Sequence, residues 1–149
     1  MKIVVDTNIV FSAILNSRSK IGKILINSKD HFQFYTCDFL RTELLKHRSK
    51  LLELTKLESE ELEELEFIVT EKISFINEAL LPAKIIVISE NLLADIDLND
   101  TPFLALSKHL KAKLWTGDKK LSLGLQRKKF KDIFTTSQLS ELLDKLERK

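Results

Sequence analysis

Four carboxylates stand in this chain at places that invite a chemical reading. Asp6 separates two apolar segments in the opening stretch KIVVDTNIVFSAIL, residues 2–15. Glu43 lies in TCDFLRTELLKH, one position before Leu44. Asp100 directly precedes Thr101 and Pro102, and Asp118 follows Leu114-Trp115-Thr116-Gly117. Carboxylates that share a cleft repel and raise one another's pKa. A divalent cation relieves that repulsion, and Mg²⁺ and Mn²⁺ favour hard oxygen ligands. One or two such ions activate a water and stabilise both oxygens of an in-line phosphoryl displacement. The chemistry indicated is phosphodiester hydrolysis. Each acid also has a plainer reading: a turn for Asp6 and Asp118, an exposed helix position for Glu43, an N-cap for Asp100. Asp97 reads as a loop acid that could stand just outside such a cluster.

Other chemistries find less support. His31, His47 and His109 show no zinc-ligand spacing with one another or with Cys37. There is no G-x-G-x-x-G, no P-loop and no serine nucleophile motif. A phosphatase of the haloacid-dehalogenase type opens strand-Asp-x-Asp-x-Thr. Here Asn8 and Val10 occupy the last two of those positions, so the motif fails.

The elements that would position these acids follow from the apolar pattern. The run at 3–5 reads as a strand buried on both faces, followed by a helix over about 8–14. A helix at 21–28 and an aromatic strand at 32–36 come next. Asp38 is a candidate N-cap for a helix to about 47, with Leu40, Leu44 and Leu51 inward. Thr55 and Glu58 suggest a capping box before a long helix over 59–76, with Leu62, Leu65, Val69, Ile73 and Ile76 on its stripe. The run at 85–88 reads as a strand, with Ser89 capping a short helix to about 95. Asp100, Thr101 and Pro102 open a further helix. Residues 113–116 read as a strand that buries Trp115, 117–118 as a turn, 131–135 as a weak strand, and 137–147 as a final helix. The alternation predicts an α/β sandwich with a mainly parallel sheet, in one domain over 1–149. In such sheets sites form beyond the carboxyl ends of the strands, which is where these acids would fall.

Composition is compatible with this. The chain is 44% hydrophobic, enough for a core, and 31% charged with a net charge of only +2, which argues against disorder. Its single cysteine, Cys37, reads as a buried hydrophobe in a reducing compartment. No apolar stretch approaches a membrane span, and the N-terminus does not read as a signal peptide. A cytoplasmic protein is expected. The small net charge hides an asymmetry: residues 53–71 are rich in Glu, whereas 108–131 hold nine Lys or Arg and one acid, Asp118. The basic stretch could hold a polyanion or be a solvated face.

The segments VVDTNIVFSAIL, TCDFLRTELLKH and DIDLNDTPFLALSKHLKAKLWTGDKKL, in this order and spacing, resemble the PIN domain across essentially the whole chain. The resemblance implies a three-layer α/β/α fold and a ribonuclease dependent on Mg²⁺ or Mn²⁺, of the VapC-like kind that serves as the toxin of a toxin–antitoxin pair. It places the acidic quartet on Asp6, Glu43, Asp100 and Asp118. Asn8 and Thr116 fall where polar groups orient a carboxylate or a water, and Asp97 is left outside the quartet. It also implies an antitoxin protein partner and a homodimer. Lys119, Lys120, Arg127, Lys128 and Lys129, next to Asp118 in sequence, are the expected RNA-binding residues. The alternative reading is a non-catalytic RNA- or protein-binding module of the same fold. A DNA 5′-nuclease shares the chemistry but usually carries further segments.

Overall fold

Strand β1 (Lys2–Val5) sets the frame. Ile3, Val4 and Val5 are completely buried, and each such side chain contributes about 2 kcal/mol of apolar burial. A strand buried on both faces belongs in the middle of a parallel sheet. In the computed structural model, which describes residues 1–28 and 30–148, β1 pairs with β2 (Gln33–Cys37) on one side and β4 (Lys113–Trp115) on the other. Strands β3 (Ile73–Ile76) and β5 (Ile133–Phe134) form the edges. The order is β3-β2-β1-β4-β5 and every pair is parallel.

Helix α7 (Thr101–Leu110) packs on β1, β2 and β4, and α6 (Ala83–Leu93) packs on α7. In the other layer, α1 (Thr7–Leu15) packs against α2 (Lys20–Asn27) and α5 (Ser59–Thr70), and α2 against α9 (Thr136–Glu147). The chain is thus the expected three-layer α/β/α sandwich. Helices α3 (Phe39–Lys46) and α4 (Arg48–Thr55) follow β2. Helix α8 (Lys119–Arg127) follows β4. Gly124 lets α8 lie close to the chain after α6, since a Cβ there would meet the Ile96 side chain at 2.6 Å. Trp115 is fully buried, as expected, and its indole N–H donates to the Thr136 hydroxyl at 3.1 Å.

Several expectations are corrected. The strand expected at 85–88 lies inside α6, where Val87 and Ile88 are exposed, so Ser89 sits mid-helix and caps nothing. The helix expected over 59–76 stops at Thr70, and Ile73–Ile76 is the edge strand β3. Ile73 and Ile76 fit the helical stripe and a strand equally well, and pairing to β2 decides between them. The capping box belongs to Glu58 and Glu61, not Thr55 and Glu58. Thr135 rather than Ser137 caps the last helix. Asp38 makes no cap bond; the Glu78 carboxylate instead accepts from the Phe39 N–H at 3.3 Å. The turn expected at 117–118 leads directly into α8, with Asp118 as its N-cap.

Candidate active site

Parallel pairing places Val5 opposite Trp115, so Asp6 and Thr116 leave the carboxyl edge of the sheet side by side. Asp6 caps α1, its Oδ1 accepting from the Ile9 N–H at 3.0 Å. Its Oδ2 accepts from the Thr116 hydroxyl at 2.7 Å. That hydroxyl accepts from the Asp118 N–H at 3.1 Å, and the Asp118 carboxylate caps α8 by accepting from Lys120 and Leu121 N–H at 2.9 and 3.3 Å. Asp6, only 2% exposed, is therefore locked at both oxygens. Asn8 is exposed and is not a helix cap; its backbone N–H, with that of Ile9, favours the charged form of Asp6.

Asp100 sits at the head of α7, and its carboxylate makes no cap hydrogen bond. The plain N-cap reading therefore fails, and the side chain is left unused by the helix it precedes. Asp97 is exposed and accepts from the Asn99 N–H at 2.9 Å, capping the short 3₁₀ turn Leu98–Asp100. Glu43 lies within α3, half-buried, with the His47 ring nitrogen 3.7 Å from its carboxylate.

The electrostatics tie these acids together. Burial pushes Asp6 up to about 6, against the pull of the Thr116 hydroxyl and the Ile9 N–H, and the charge of Asp118 adds to the rise. Burial pushes Asp100 up to about 7, and the charges of Asp6, Asp97, Asp118 and Glu43 push it further. All four expected acids and Asp97 thus act on one neighbourhood centred on Asp100. Among the described residues, none of Asp6, Asp97, Asp100 and Asp118 forms an ion pair with Lys or Arg, and Glu43 meets only His47. This is uncompensated negative charge built from oxygen donors, which suits a hard divalent cation. No group of three or more His, Cys, Asp or Glu side chains among the described residues is arranged to hold a metal ion as it stands.

A family model for the PIN domain matches residues 4–143. The chain belongs to the PIN-domain family. A chain of the crystal structure of VapBC2 from Rickettsia felis, bound to a DNA fragment from their promoter, shares the fold. The TM-score is 0.68 at 16% identity, over 91% of this chain and 97% of that one. No curated protein sequence matches.

The expected basic residues of this PIN domain divide. Lys119 and Lys120 are exposed at the start of α8, and Arg127 and Lys129 at its far end. Lys128 is not available: its ammonium donates to the Leu92 carbonyl at 2.6 Å and pairs with Asp95, fastening α8 to the end of α6. Two contacts escaped notice in the sequence. His47 carries a signal, its i+4 spacing from Glu43. Glu78 caps α3 from 39 residues away in the chain, and no local pattern announces it. Among the described residues, no helix is long and apolar enough to cross a membrane.

Proposed function

We propose that residues 1–149 form a single nuclease domain that hydrolyses RNA in a Mg²⁺- or Mn²⁺-dependent reaction, as the toxin of a toxin–antitoxin pair. The observation that carries this reading is the uncompensated acid cluster around Asp100, delivered by β1, α3, α7 and the β4–α8 junction. Asp6, Glu43, Asp100 and Asp118 would hold the ion, which when bound supplies Lewis-acid activation of a water and charge stabilisation at phosphorus. Asp6 is the fixed member, because Thr116 and the start of α1 hold both its oxygens. Asp100 is the adjustable member, with no helix cap to maintain. Lys119 and Lys120 meet the phosphate backbone beside Asp118. Attack of water on phosphorus and departure of the 3′ oxygen leave 5′-phosphate and 3′-hydroxyl ends. The VapBC2 likeness supports an antitoxin partner, and the family resemblance supports a homodimer in the cytoplasm.

Labelled RNA incubated with the protein and either ion tests this. Asp6→Asn and Asp100→Asn should each lower cleavage more than about a hundredfold, beyond what losing an outer partner of a metal ligand costs, while circular dichroism shows both variants folded. Undiminished cleavage by these variants would sink the assignment. Metal-independent retention of RNA without cleavage by the wild type would make the chain a binding module instead.

A further inference from the structure

At the opposite edge of the sheet, where β4 and β5 begin, four lysines line a cavity of about 460 Å³. Lys108 and Lys111 come from the end of α7, and Lys129 and Lys131 from the chain after α8. Lys111 and Lys129 adopt left-handed backbone, with φ 53° and 64°. Glycine is the usual residue where a helix ends this way, and a side chain there crowds the following carbonyl. Among the described residues none of the four forms an ion pair, and the cavity's one acid, Asp132, is already bound by Lys113 at 2.8 Å. The carboxyl ends of α7 and α8 carry about half a negative charge each, so they offset only about one of the four positive charges.

Helix α8 connects this cavity to the acids. Asp118 caps its first turn and Lys129 follows its last. Its exposed residues are Lys119, Lys120, Leu123, Gln126 and Arg127. At helical spacing these fall on one face, and that face contains no acid. The helix spans about 14 Å, and its far end is fastened through Lys128.

We propose that the lysine cavity is a second RNA-phosphate site, holding the strand about one helix-length from the acids, with the basic face of α8 as the track between them. Such contacts position a strand without reading its sequence. The proposal rests on the ribonuclease reading for its choice of RNA.

The test is fluorescence anisotropy in EDTA, which stops turnover, with a trinucleotide and a twelve-nucleotide single-stranded RNA. The triple variant Lys108→Gln/Lys111→Gln/Lys131→Gln should bind both RNAs more weakly, the longer about tenfold. Its slope of log affinity against log salt should be shallower by about 2, at about 0.7 per phosphate contact. The corresponding triple arginine variant should bind like the wild type. Equal affinity of the glutamine variant and the wild type for the long RNA would overturn the proposal. So would a loss shared by the arginine variant. Tighter lysine-dependent binding of duplex DNA or of anionic phosphatidylglycerol vesicles than of RNA would overturn it too. If the wild type shows lysine-dependent binding of the long RNA but cleaves it with neither Mg²⁺ nor Mn²⁺, the cavity assignment stands and the hydrolase reading falls.

Discussion

The carboxyl edge of the sheet and its amino edge carry charge of opposite sign, and they hold it differently. At the carboxyl edge Asp6 is buried and hydrogen-bonded at both oxygens, and Asp100 is half-buried among other acids. At the amino edge the lysines are mostly exposed and unpaired. Desolvated charge is expensive, so it changes its protonation readily and responds strongly to a counter-ion. Solvated charge keeps its protonation and responds mainly to salt. One edge is suited to chemistry at fixed atoms, the other to loose electrostatic retention.

The most forceful way to break this contrast is through pH. Asp6 binds its proton more tightly in the folded chain, at about 6, than at its ordinary value of 3.8. Its stabilising contribution is therefore fully present below 3.8 and is lost as pH rises through 6. The loss amounts to about 3 kcal/mol. Asp100, raised to about 7, extends the decline toward neutrality. Metal-free protein should melt at a higher temperature at pH 5 than at pH 8, and Mn²⁺ should recover more stability at pH 8 than at pH 5. A melting temperature that climbs between pH 5 and 8 without metal would count against a buried acid cluster.

A smaller effect should follow from Thr116→Val. It removes the donor to Asp6 and the acceptor for the Asp118 N–H while nearly conserving volume. Cleavage should fall about 10- to 100-fold, the range for losing a group that orients a metal ligand. The Asp6 pKa should rise further, moving the acid limb of the pH–rate profile upward, and Thr116→Ser should restore both. An unmoved profile would reduce Thr116 to a packing residue. The smallest effect belongs to Lys128→Gln, at the amino edge. Its ion pair with Asp95 is exposed to solvent and screened by salt, so urea denaturation should show only a slight shift of the midpoint, smaller than that of Thr116→Val.

Much of this was legible in the residues because burial leaves a compositional mark. The run at 3–5 is apolar on both faces, 32–36 is rich in aromatics and 113–116 carries Leu114 and Trp115, and these became the three central strands. Edge elements were harder. Ile73 and Ile76 continue the helical stripe of Leu62, Leu65 and Val69, and only pairing with β2 makes them a strand. The run at 85–88 reads as a buried strand, yet in α6 only Ser89 and Leu93 are fully buried. Helix α8 was missed although Leu121 and Leu125, both buried, carry an i,i+4 signal. In the candidate site, the order of the acids and their flanking residues was enough to bring Asp6, Glu43, Asp100 and Asp118 into question together. The fastening of Lys128 to Asp95 and the capping of α3 by Glu78 are tertiary, and no local pattern reports them.

The bond from the Thr116 hydroxyl to Asp6 joins residues 110 positions apart. Contacts of such separation form late, because a long loop must close before they contribute. During synthesis, a chain that has delivered β1, α3 and Asp100 still lacks the strand that immobilises Asp6 and the helix that Asp118 caps. The acid cluster is therefore complete only once both halves of the sheet have paired. On the ribonuclease reading proposed above, a nascent chain could not cut the messages around it until the second half of its sheet has closed.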